Sequence, residues 1–164
     1  MFEGGTVSEV DPEAGWTKRG SRAYFGYKAH LAVDQGSGVV RGAILTSADV
    51  HDSVPADRLI QGDERAVYAD KAYDSQARRG RLAAAGIRDG IMYTARRNQP
   101  LTDWQVARNA ILAKVRSGVE RVFGTLKRSY RYRRVRYRGL EKNEAHLHLL
   151  CIALNLRRAT VLAR

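Results

Sequence analysis

Residues 24–47 read YFGYKAHLAVDQGSGVVRGAILTS. Two apolar runs, Tyr24 to Val33 and Val39 to Ser47, flank the turn cluster Asp34 to Gly38. β-Branched and aromatic residues around a Gly-rich turn predict a β-hairpin. Outward from it, residues 1–20 are polar and Gly-rich, an extended or poorly ordered lead-in with the character of a linker. Downstream, residues 48–62 carry turn residues and a short helical stretch. Residues 66–70, AVYAD, form a short buried strand ending on a carboxylate. Ser75 or Asp74 caps a helix that Gly86 stops. Residues 90–96 form another short strand.

A long helix is predicted from Trp104 to about Lys127, because Ala107, Ile111, Val115, Val119, Val122 and Leu126 recur in steps of three and four. A last helix runs from about Asn143 to Thr160. Leu147, Leu150, Cys151 and Leu154 lie on one face, and Leu149, Ile152, Ala153 and Leu156 widen it, so this helix is expected to be well buried. Strands followed by helix, strand and helices predict an α/β domain, a mixed sheet flanked by helices.

The 164 residues suit one domain, residues 21–164 after the lead-in. Twenty-nine Lys and Arg against 17 Asp and Glu give a net charge of +12, which points to a polyanionic partner. Nucleic acid ranks first, an anionic membrane surface second, and a basic domain with no such partner third. The single cysteine, Cys151, excludes an intrachain disulfide and reads as a small buried hydrophobe. No apolar run reaches membrane-spanning length and the N-terminus has no signal-peptide pattern, so a cytoplasmic, nucleoid-associated protein is expected.

Two acids stand out. Asp70 closes the AVYAD strand, where α/β proteins bind ligands; the plainer reading is an aspartate that starts a turn. Glu120 lies on the long helix with Arg116 and Lys127 on its face; the plainer reading is an exposed ion-pair stripe. Gly124, one turn on, suggests close approach of another backbone, protein or DNA. Together, two carboxylates supply hard oxygen ligands for Mg²⁺ or Mn²⁺, and phosphodiester chemistry uses such ions. Residues 127–138, KRSYRYRRVRYR, hold seven cations (Lys127, Arg128, Arg131, Arg133, Arg134, Arg136 and Arg138), three tyrosines and no acid. Cations bind phosphates, and interleaved tyrosines can stack on bases or pack on sugars; a solvated basic surface is the rival. His30 reads as structural, and His146 and His148 as surface or partly packed. His51 and Asp52 suit either the crevice or a loop cap.

Three blocks, YFGYKAHLAVDQGSGVV with ILTSADVHDS, then YADKAYDS, then VRSGVERVFGTLKRSYR, resemble the catalytic domain of DDE-class bacterial insertion-sequence transposases, in the subgroup with an Arg-x3-Glu-x6-Lys helix. The resemblance runs from about Asp11 to the last helix. It implies an RNase H-like fold, with Asp70 the second metal-binding acid and Glu120 the third. Arg116 and Lys127 become the signature cations that contact transposon-end DNA. Two metal ions would then drive DNA hydrolysis and strand transfer, and the active complex would be a homo-oligomer. Two features depart from the pattern. The tyrosine three residues before the signature arginine is Ala113. The first acid, on a central first strand, has no counterpart, because neither Asp11 nor Asp34 matches its motif. A C-terminal fragment truncated at the first strand is therefore expected, weak or inactive alone. It would pair with an upstream fragment or full-length transposase, or serve as a non-catalytic DNA-binding or assembly module. An open sheet edge would leave it marginally stable or self-associating.

Overall fold

The computed structural model describes residues 10–164, with the side chain of Arg19 left out. Among the described residues five strands occur: β1 (Gly15–Arg19), β2 (Arg22–Val33), β3 (Val40–Ser47), β4 (Ala66–Ala69) and β5 (Arg88–Ile91). The α-helices of the described residues are α1 (Ser53–Leu59), α2 (Gln76–Ala84), α3 (Asp103–Arg128) and α4 (Leu140–Leu162). Where one mixed sheet is expected, the described strands form two, antiparallel β1-β2-β3 and parallel β4-β5. The chain divides into two compact units, one of residues up to His51 with Val122–Arg164, the other Asp52–Arg121.

In the first unit the hairpin forms as predicted, Tyr27 opposite Ser47 through Val33 opposite Val40. Its turn is held by Asp34, whose Oδ2 accepts from the Ser37 amide at 2.7 Å and the Ser37 hydroxyl at 2.6 Å. Gly38 follows at φ +71°, where an L side chain is strained. β3 lies at the sheet edge, and edge backbone groups need partners. Helix α4 supplies them. Asn155 pairs with both the amide and carbonyl of Val40 at 2.8 Å. Glu144 accepts from the Leu45 amide at 3.0 Å, and the His148 ring nitrogen lies 2.9 Å from the Ala43 carbonyl. Under this clamp lie Val40, Leu45, Val122, Leu126, Leu147, Cys151 and Leu154.

The segment read as a lead-in is tied down from Asp11 onward, and its residues 15–19 form β1. Residues 1–9 of that stretch lie outside the described residues. Buried Asp11 accepts from the Tyr27 hydroxyl at 2.8 Å and the Gly139 amide at 3.3 Å. Gly139, at φ +88°, precedes α4 without a side-chain cap. Glu13 takes that role, accepting from the Leu140 amide at 3.0 Å. α4 is longer than predicted and presents two faces. Leu147, Cys151 and Leu154 are buried, but Leu149, Ile152 and Leu156 are exposed, against the expectation of a well-buried helix.

The second unit is built on a βαβ crossover, β4–α2–β5, around Leu82, Ile87 and Ile91. Ser75 is the α2 cap, accepting from the Arg78 amide at 3.4 Å. β5 starts two residues before the predicted strand and stops at Ile91, because it pairs only with the four residues of β4. The following backbone is captured from the side. Asn109 of α3 bonds the amide and carbonyl of Tyr93 at 2.9 and 3.0 Å, and Asp74 accepts from the Thr94 amide at 2.9 Å. α3 opens with a capping box: Thr102 and Gln105 exchange side-chain-to-amide bonds at 3.0 and 3.3 Å.

Candidate nucleic-acid and carboxylate site

β4 delivers Asp70 at its C-terminal end, where the residue starts a turn. Its Oδ1 accepts from the Ala72 amide at 2.8 Å, capping the 3₁₀ turn Lys71–Tyr73. Its Oδ2 lies 3.6 Å from Nη1 of Arg116. Nη2 of the same guanidinium donates to Glu120 Oε1 at 3.1 Å, one turn along α3. One cation therefore touches both acids. None of the three is buried: their side chains are 30, 35 and 65% exposed for Arg116, Asp70 and Glu120, so this is an open cluster. The third guanidinium nitrogen of Arg116, Nε, is shielded from solvent and has no protein partner.

The loop carrying Asp70 is braced from behind. Arg79 of α2 donates from Nε and Nη2 to Asp74 at 3.0 Å, ion-pairs with Asp89, and bonds the carbonyls of Ile91 and Met92 at 3.2 and 3.3 Å. Its guanidinium lies 4.1 Å from the centre of the Tyr93 ring. Thr94 adds a bond from its hydroxyl to the Lys71 carbonyl at 2.8 Å. Arg78, buried, grips Asp57 and the carbonyls of Tyr73 and Ser53. Sequence reading missed this scaffold, because alternating Arg and Asp in a helix and loop look like solvated charges.

Tyr73 was missed as well. Burial pushes its hydroxyl up to about 12; the carboxylates of Asp52 and Asp70 add to the shift, and Arg116 and Arg78 oppose it. Asp52 thus shares the electrostatic neighbourhood of Asp70, while His51 is exposed. Asp52 stands at the N-cap position of α1 without a side-chain cap bond to that helix. The spacing in DKAYD, with Tyr73 three residues after Asp70, was the available signal.

Gly124 does not serve a close protein approach. A side-chain carbon there would meet only the flexible end of Arg128, at 3.5 Å. Lys127 and Arg128 form the last turn of α3, and all seven cations of residues 127–138 are exposed. The tyrosines do not stand free beside them. Tyr130 and Tyr132 pack against the core, and burial pushes the Tyr132 hydroxyl up to about 12. Tyr137 meets His146 edge-on at 5.5 Å. Asn143, fully buried, fastens the end of the segment through the Tyr137 amide and carbonyl and the Gly139 carbonyl. The cations therefore point outward from a fixed base.

Among the described residues no cluster of three or more His, Cys, Asp or Glu side chains could hold a metal ion. Asp70 and Glu120 match the donor chemistry of a hard divalent cation but fall one acid short of a cage. No helix is long and apolar enough to cross a membrane, among the described residues.

Residues 5–156 match the family model described as transposase DDE domain. A curated relative, the transposase for insertion sequence element IS1106 of Neisseria meningitidis serogroup B, is 40% identical over 161 residues, covering 97% of this chain and 56% of that protein. The chain thus spans about half the length of this relative. No solved structure matches it. An acid closing a parallel strand, a helix with Arg116 and Glu120 one turn apart, and the match across most of the sequence agree: the chain belongs to the DDE transposase family.

Proposed function

We propose that this chain carries the second and third acids, Asp70 and Glu120, of a DDE transposase catalytic domain, residues 21–164 behind the 1–20 segment. In this reading the fold is RNase H-like and truncated at its first strand. The first strand of such a sheet is central, so a set of strands without it comes in two pieces. The reaction is transposon-end hydrolysis followed by strand transfer to target DNA. Bound Mg²⁺ or Mn²⁺ would supply activation of the attacking oxygen and charge neutralisation at the leaving one. Asp70 and Glu120 would hold the ion. Arg116 neutralises both acids in the free protein. Lys127, Arg128, Arg131, Arg133, Arg134, Arg136 and Arg138 hold the DNA backbone by charge.

The observation that carries this reading is the single guanidinium shared between the strand-end acid and the helix acid. With two acids in place of three, the chain alone cleaves weakly or not at all, and an upstream fragment or full-length transposase completes the site. The test is Mn²⁺-dependent nicking of transposon-end DNA by the chain, alone and mixed with an upstream fragment. Activity that appears with the fragment and is abolished by Glu120→Ala supports the reading. Nicking that survives Glu120→Ala removes Glu120 from the mechanism.

The seven exposed cations of residues 127–138 also fit a second reading, a non-catalytic DNA-binding or assembly module. It predicts tight DNA binding, with no metal dependence and no cleavage under any complementation.

A further inference from the structure

Helix α3 carries Arg116 and Glu120, yet packing does little to fix that part of it in place. Between Asp103 and Arg121 only Leu112 is buried, and no residue of α3 belongs to the core of Leu82, Ile87 and Ile91. Apolar contact is non-directional and tolerates sliding. This part of α3 is tied to the second unit by hydrogen bonds to the backbone that runs through and beyond β5. Arg108 donates to the carbonyls of Asp89 and Ile91. Asn109 accepts from the Tyr93 amide at 2.9 Å and donates to the Tyr93 carbonyl at 3.0 Å. The next residue, Thr94, donates its amide to Asp74 at 2.9 Å and its hydroxyl to the Lys71 carbonyl at 2.8 Å, beside Asp70.

We propose that Asn109 is a positioning residue for the acid pair: it sets the register of α3 against the Asp70 turn and so fixes where Arg116 and Glu120 stand. These two follow Asn109 by seven and eleven residues, about two and three helical turns, and share its face. A helix slipped by one residue moves about 1.5 Å and turns by about 100°. That slip breaks both Asn109 bonds at once and swings Arg116 off Asp70. Asn109 is suited to the task because its side chain is short and takes both backbone groups of a single residue, one bond in each direction. Arg108 reaches through a long, flexible side chain and can follow a shift.

Asn109 has no bond to either acid and acts through Tyr93 and Thr94. Asn155 on Val40 and Asn143 on Tyr137 clamp backbone in the same way in the first unit, but neither lies on a helix that carries an acid of the pair. The catalytic meaning of the register rests on the reading that Asp70 and Glu120 hold one ion. Misplacing a reacting group by about 1 Å can cost about a hundredfold in rate. A helix held more by hydrogen bonds than by packing therefore needs one contact that admits a single register.

Spin labels at Lys71→Cys and Ser117→Cys, both exposed positions, in a Cys151→Ala background read the register without metal or DNA. Double electron–electron resonance on this labelled parent gives one narrow distance. Asn109→Ala spreads or shifts it by about 5 Å, the rise of one helical turn. Arg108→Ala and Asn155→Ala, which also remove side-chain bonds to backbone, lower the melting temperature and leave the distance narrow. An unshifted, narrow distance in Asn109→Ala overturns the proposal, and so does an equal spread in Arg108→Ala. If Asn109→Ala does not fold, Asn109→Asp carries the same comparison, since it keeps the acceptor for the Tyr93 amide and loses the donor. In a second arm the unlabelled chain is mixed with the upstream fragment and Mn²⁺-dependent nicking is followed. Asn109→Ala lowers kcat by about tenfold or more and leaves KM for transposon-end DNA unchanged. A spread distance with full kcat overturns the positioning role. A parent mixture that never nicks sinks the nuclease reading alone, and the distance still decides the register.

Discussion

Arg116 Nη1 stands 3.6 Å from Asp70 Oδ2 while its neighbouring nitrogen holds Glu120 at 3.1 Å. The cation occupies the place between two acids where the proposed divalent ion would act. Metal and arginine therefore compete for the same oxygens. Arg116→Ala should raise Mn²⁺ affinity by about tenfold, or about 1.4 kcal/mol, after the Coulomb gain is discounted for the exposure of both acids. The same variant should weaken DNA binding. Mn²⁺ titration followed by electron paramagnetic resonance checks the first half, and an unchanged metal affinity would show that the two acids do not act on one ion.

The basic segment makes a different kind of prediction, because its cations have no role in the core. Replacing Arg131, Arg133 and Arg134 together with Ala should leave the melting temperature within a few degrees. It should flatten the dependence of log K on log salt by about 0.9 per lost phosphate contact on duplex DNA. Fluorescence anisotropy at several salt concentrations measures the slope. A slope identical to that of the parent chain would move the DNA contact elsewhere.

What the sequence revealed follows the range of the forces involved. The hairpin was readable because Asp34, Ser37 and Gly38 form its turn among themselves. The long helix was readable from period alone, and the Arg116–Glu120 contact is fixed by helical spacing. The extent of the tied-down N-terminal segment was not readable: β1, GWTKR, has one apolar residue, Trp16, and no alternating pattern, and Glu13 becomes a helix cap only by meeting a residue 127 positions away. The Arg79 network and the Asn155 clamp are hidden for the same reason. The outer face of α4 shows the limit most directly. Apolar width on a helix predicts burial, yet Leu149, Ile152 and Leu156 are exposed.

Arg79 and Asp74 are only 14 and 10% exposed, so their pairing is largely shielded from water. Removing one partner leaves the other charge buried and unpaired, which costs about 3–5 kcal/mol. Arg79→Met should lower unfolding stability in urea by about that much. It should also free the Asp70 loop, seen as faster hydrogen exchange at the amides of Thr94 and Asp74. Asp57→Asn, at a carboxylate that is 42% exposed, should cost distinctly less. Equal losses for the two variants would mean that the shielding does not matter.

Cys151 tests the first core. It is 6% exposed, and burial pushes its thiol up to about 11. The folded chain therefore keeps the proton where the unfolded chain, with an ordinary thiol near 9, gives it up. The resulting stability is present in full below pH 9 and is lost as pH rises from there through 11. The native thiol should react slowly with a disulfide reagent at pH 8 and promptly in guanidinium. Cys151→Ala should remove this thiol's share of the alkaline loss while costing about 1–2 kcal/mol at neutral pH through the cavity it opens. Rapid labelling of the folded chain at pH 8 would show that α4 opens away from β3 on the labelling timescale, and the clamp through Asn155, Glu144 and His148 would then have to be weaker than its geometry indicates.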